Sequence, residues 1–218
     1  MRERGSEQTM SSISKKKGID VREQSSADKD LFTALENDNY DGIKRALEAG
    51  ADPNAKNACG EPAVLIAVHI KSNSALKQLI DAGANVNKIN RGGWAPIYEA
   101  VWGRDTQAIR MLIDAGADLD QREEGGWTPL MALMASAYSH EVDANKDGTK
   151  HMLMLIEAGA DAGIKNRDGD TAFDVLKKRH PKFYDAHIEE LKAALPEAKR
   201  LKREDSAGYA ETGYEFDI

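Results

Sequence analysis

Along this chain the apolar positions follow a helical rhythm that restarts at fixed intervals. Ile43, Leu76, Ile109 and Met152 hold equivalent places, as do the pairs Ala46/Leu47, Leu79/Ile80, Leu112/Ile113 and Leu155/Ile156. Spacing by three and four draws one apolar stripe on each helix. Each stripe is followed by a glycine (Gly50, Gly83, Gly116, Gly159), where a helix can end on a left-handed residue that glycine adopts at little cost. The first two intervals are 33 residues and the third is 43, so ten extra residues enter the last one. A second set of glycines keeps the same register and opens the segments GEPAVLIAV (Gly60), GWAPIYEAV (Gly93), GWTPLMALM (Gly126) and GDTAFDVLK (Gly169). Such a unit cannot bury its apolar face alone and must stack on its neighbours.

The units close on EAGADPN, DAGANVN, DAGADLD and EAGADAG, and one opens on GWTPL, Gly126–Leu130. In period, glycines and helix pattern, the stretch from about Asp28 to Leu195 resembles the ankyrin repeat. The resemblance implies an all-α solenoid of stacked helix-turn-helix units with short β-turn tips. About five repeats would fill residues 25–195, the first and last serving as caps. Pro62 and Ala95 depart from the threonine of the opening motif. Leu65, Tyr98, Met131 and Asp174 stand where the family usually has a histidine that ties neighbouring turns together, which puts local rigidity in question. The first unit, Ser26–Ala49, lacks the turn, and FTALENDN reads as its water-facing helix. In the last unit Pro181 is expected to end the first helix. Residues 1–24 and the acidic tail 196–218 lack periodicity and are expected to be disordered.

Composition narrows the function. The net charge of −7 argues against nucleic acid, which needs a basic face. The longest apolar run, Pro62–Ile70, is too short to span a bilayer, and no secretory h-region is visible at the N-terminus. A single cysteine, Cys59, cannot form an internal disulfide. The expectation is a monomeric protein of the cytoplasm, with export into a host cell left open. No nucleophile motif, phosphate loop or metal spacing of histidines appears, so neither enzyme activity nor a cofactor is expected.

Three tryptophans remain to be explained. In the ankyrin family, partners usually meet the turn tips and the exposed face of the inner helices. Trp94 and Trp127 fall at the tips of adjacent turns, and Trp102 at the far end of an inner helix. Tryptophan is enriched at binding hot spots. The expectation is therefore a protein-binding adaptor or regulator with Trp94, Trp102 and Trp127 as anchors. Arg91, His69, Glu61, Glu124 and Tyr98 are expected on the same face. A tryptophan cage that reads methyl-lysine, as some ankyrin domains have, is a narrower alternative. Trp94 and Trp102 lie eight residues apart, about 12 Å along a helix, which favours a broad strip over a cage. A further alternative is regulation by a cation in the insertion near residues 137–150. Asp143, Asn145, Asp147 and Gly148 match the first half of a calcium loop, but Met154 stands where its glutamate should be.

Overall fold

The computed structural model describes residues 25–136 and 146–195. The expected tails and most of the insertion lie outside them. Ten helices follow in order among the described residues: α1 (Ser26–Glu36), α2 (Tyr40–Glu48), α3 (Ala63–His69), α4 (Asn73–Asp81), α5 (Pro96–Trp102), α6 (Thr106–Asp114), α7 (Pro129–Ser136), α8 (Lys146–Glu157), α9 (Ala172–Arg179) and α10 (Pro181–Ala193). They form five pairs, the odd-numbered helix of each being the inner one. Each inner helix packs on the next inner helix along the stack, and the outer helices α2, α4 and α6 pack in series behind them.

The stripes become one continuous core. Ile43, Leu76, Ile109 and Met152 are fully buried, and so are Leu79, Leu112 and Leu155. The second members Leu47, Ile80 and Ile113 are half-buried at its edge. Both glycine sets are left-handed, with φ of 83° at Gly83 and 77° at Gly93 for example. Three further left-handed residues join inner to outer helices at the same 33-residue spacing, and none is glycine: Asp38, Lys71 and Arg104. Each sends its side chain to the next unit, Asp38 to Ser72 Oγ, Lys71 to the Gly103 carbonyl at 3.3 Å and Arg104 to the Ser136 carbonyl at 3.1 Å. These ties offset a strain of about 1 kcal/mol per residue.

The caps follow the residues present. Asn39, Ser72 and Asp105 side chains accept from the first turns of α2, α4 and α6. Thr128 and Thr171 do so for α7 and α9. Pro62 and Ala95, the two departures from the threonine, leave α3 and α5 without a side-chain cap. Pro181 opens α10 directly after α9, as expected.

Two details differ from the sequence expectation. Leu31, Phe32, Ala34 and Leu35 are buried, so FTALE belongs to the inner helix α1 and the outer helix of the first unit is Tyr40–Glu48. The apolar side chains of that segment, not its polar flanks, decide which way it faces. In the fourth unit α8 has 12 residues where α6 has 9, so the last part of the insertion lengthens the outer helix.

Candidate functional site

Each turn tip is closed by one polar side chain. Asn57 Oδ1 accepts from Cys59 and Glu61 N–H, Asn90 Oδ1 from Gly92 and Trp94, and Asn166 Oδ1 from Asp168 and Asp170. At the third tip along the chain Glu123 Oε1 accepts from Trp127 N–H at 3.0 Å. The closing GAD-x-N segments form a second series. Asn54 Oδ1 accepts from Asn85 N–H of the next unit at 2.7 Å, and its Nδ2 donates to the Gly83 carbonyl at 3.4 Å. Asn87 repeats this with Asp118 N–H at 2.7 Å and the Gly116 carbonyl at 3.2 Å. Asp120 accepts from Asp161 N–H at 2.6 Å and, being a carboxylate, has no N–H to donate. In the first unit, which lacks the turn, Asp28 takes over and accepts from Asp52 N–H at 2.8 Å. Burial alone would raise the Asp28 pKa; the Asp52 and Ser25 hydrogen bonds outweigh it and hold the carboxyl below its ordinary value.

This framework holds the tryptophans. Trp94 precedes α5, and both its N–H and its carbonyl are bonded to Asn90. Gly92 has no side chain, and a Cβ there would stand 3.1 Å from Trp94 Cδ1. The Trp94 ring therefore folds over the start of α5 and meets the Tyr98 ring edge-on, with centroids 5.6 Å apart. Trp102, one turn further along α5, leans back toward the helix N-terminus as helical side chains do. Its ring stands at 90° to that of Trp94, with centroids 6.5 Å apart. Trp102 is 61% exposed and Trp94 is 36% exposed.

The contact between Trp94 and Trp102 corrects the broad strip read from sequence. Helical rise does not apply to Trp94, which lies outside the helix. Trp127 is half-buried against the core and joins no ring pair among the described residues. Its ring divides its surface between the core and solvent.

Tyr98 is the second correction. It is 1% exposed and so cannot meet a partner. Its hydroxyl reaches the carbonyls of Gln121, at 2.9 Å, and Trp127, and accepts from Glu123 N–H at 3.2 Å. It performs the turn-tying for which the family commonly uses histidine at this position. Burial first, then the nearby Glu123 and Asp118 carboxylates, push its phenol well above the usual range.

The other expected face residues are distributed over the second to fourth repeats. His69, exposed, bonds through Nδ1 to Glu99 Oε1 at 2.9 Å. Glu99 is half-buried and lies three residues before Trp102, on the same side of α5. Glu61 accepts from Asn90 Nδ2 at 3.2 Å, one link from Trp94. Arg91 is exposed and lies along Gly60, its Nε 2.7 Å from where a Cβ would be. Glu124 is exposed at the next tip. Ile70 and Ile89, each 38% exposed, add apolar surface that the reading of tryptophans alone did not single out. Glu99 was equally missed, although its spacing from Trp102 is a helical neighbour's.

Asp143 and Asn145 lie outside the described residues. Asp147 and Gly148 already belong to α8. Among the described residues no cluster of three or more His, Cys, Asp or Glu side chains could hold a metal ion, and no helix is long and apolar enough to cross a membrane.

Residues 31–123 match the family described as Ankyrin repeats (3 copies). That segment thus carries ankyrin repeats, a class of module that generally mediates protein–protein interaction. No curated protein shows significant similarity to it.

Proposed function

We propose that this protein is a non-catalytic adaptor or regulator that binds a partner protein through the concave face of its second to fourth repeats. The observation that carries this is Trp102, the most exposed large apolar side chain among the described residues at 61%, in ring contact with Trp94. A large aromatic surface on a rigid scaffold loses little entropy on binding and excludes water over a wide area, which is the chemistry of a hot spot. Glu61, His69, Arg91 and Glu124, polar residues of the neighbouring repeats, orient the partner. The chain acts as a monomer in the cytoplasm.

Affinity capture from cells of the source organism tests this. Wild type, Trp94→Ala/Trp102→Ala and Tyr40→Ala are run side by side. Tyr40, 52% exposed on α2, is a control on another surface. A protein retained by wild type and Tyr40→Ala but lost from the double variant supports the reading. Equal retention by all three refutes it. Trp127 is left intact, because its removal would weaken the core.

The right-angled Trp94–Trp102 contact favours a second reading, recognition of a methylated lysine within a peptide. Cation regulation through Asp143–Gly148 has no such support. A calcium titration without heat or thermal shift would remove it.

A further inference from the structure

Three inner helices carry one equivalent position. Trp102 on α5, Ala135 on α7 and Lys178 on α9 correspond through repeat intervals of 33 and then 43 residues. These helices pack in series, so the row runs from an exposed indole, over a small residue, to a cation. Around its far end stand Lys177, Lys178 and Arg179 in the last turn of α9 and Lys182 at the start of α10, all exposed. The helix dipole suits the cations that end α9 but disfavours Lys182 where α10 begins. Two carboxylates share this region: Asp170 pairs with Lys178 at 2.6 Å, and Asp174 closes the capping box of α9. Four cations gathered there, in a chain whose net charge is −7, suit an occupant that carries carboxylates at one end and apolar rings at the other.

We infer that this occupant is the chain's own segment Glu204–Asp217, which covers Trp102 and competes with the partner. The inference rests on the proposed interface and names what regulates it. The segment lies outside the described residues, so its sequence and length carry the argument. Lys199 to Arg203 come first after Leu195, following α10, whose exposed residues include Asp185, Glu189 and Glu190. From Glu204 onward every charged residue is acidic: Glu204, Asp205, Glu211, Glu215 and Asp217. Tyr209, Tyr214 and Phe216 are set among them. The order matches the row. Glu204 and Asp205 come first, as the chain leaves the fifth unit and its cations, and the aromatic residues follow toward Trp102. Two steps of packed helices separate Lys178 from Trp102, about 20 Å. Asp205 and Tyr214 are nine residues apart, a reach of up to about 30 Å. Ring contact with an exposed indole adds to the apolar area buried. A segment of the same chain competes at an effective concentration on the order of millimolar. The partner's apparent affinity then falls with the fraction of molecules left uncovered.

The full chain, labelled with ¹⁵N, reports on this through its indole N–H signals. A nitroxide is attached at Ala210→Cys in a Cys59→Ser background, Cys59 being the one native cysteine. The expected result is strong broadening of the Trp102 indole signal, little broadening of the amides of α1 and α2, and no change on dilution. Adding Tyr209→Ser/Tyr214→Ser/Phe216→Ser to the labelled chain should reduce the bound fraction about two- to ten-fold, the loss of aromatic pair contacts. High salt should reduce it as well, because the carboxylate contacts are exposed. Absent broadening at Trp102, or equal broadening at Trp102 and α1, would overturn the inference. Broadening that vanishes on dilution would overturn it too, because the segment would then come from a second copy. So would a triple substitution without effect. The capture experiment judges the interface separately: a partner lost with Trp102, in a chain without such broadening, leaves the interface standing and removes the cover.

Discussion

Removing one oxygen from Tyr98 should loosen the joint between the third and fourth repeats while leaving the Trp94–Trp102 contact in place. In Tyr98→Phe the ring stays in the core and keeps its contact with Trp94. The hydroxyl's bonds to Gln121, Trp127 and Glu123 disappear. Glu123 N–H keeps a second acceptor, the Trp127 carbonyl at 3.1 Å, so it is not orphaned. The loss is then one to two net hydrogen bonds, about 1.5 kcal/mol. For a domain of this size that lowers Tm by roughly 3–6 °C. Stability in a stacked array is a sum of unit and interface contributions, so the damage should be local. Urea melts measure the total, and hydrogen exchange should show lost protection at Gln121–Trp127 with α1 and α2 unaffected. The alkaline limb adds a second check. Tyr98's folded pKa lies above its unfolded value near 10, so its contribution is complete below pH 10 and lost as pH rises beyond it. Wild type should therefore lose stability above pH 10 more steeply than Tyr98→Phe. A change below about 0.3 kcal/mol, or parallel alkaline limbs, would refute the turn-tying role.

Four other substitutions probe the same framework. Ala95→Ser supplies the missing cap on α5 and should stabilise by about 1 kcal/mol in a urea melt. Asn87→Ala removes both an acceptor and a donor between the second and third units and should cost about 1–2 kcal/mol. Asp28→Ala should flatten the acid limb of stability: the lowered pKa makes this carboxylate's contribution complete above its unfolded value near 3.9 and lost as pH falls through the folded one. Trp102→Ala should leave stability within about 0.5 kcal/mol, whereas Trp127→Ala should cost about 2 kcal/mol or more by thermal denaturation.

The repeat was legible in the sequence because its signals are local. Stripes such as Ile43–Ala46–Leu47 and the glycines that end them depend on helical periodicity and one backbone conformation. Pro62 and Ala95 were legible as departures from the threonine of the motif, but not as the missing caps they prove to be. What escaped depends on neighbours in space. Tyr98 looked like a surface aromatic because its partners lie 23 to 29 residues away in the next turn. Trp94 was measured along a helix to which it does not belong. The left-handed Asp38, Lys71 and Arg104 carry no glycine to announce them, since their strain is offset by bonds to the following unit. Glu99 needed the Trp94–Trp102 corner before its position had meaning.

The most direct measurement is the affinity of the captured partner, purified, for wild type, Trp102→Ala and Tyr40→Ala by titration calorimetry. An aromatic hot spot predicts a loss of about 30-fold or more for Trp102→Ala and none for Tyr40→Ala. Equal affinities across the three would contradict the claim that this face binds the partner.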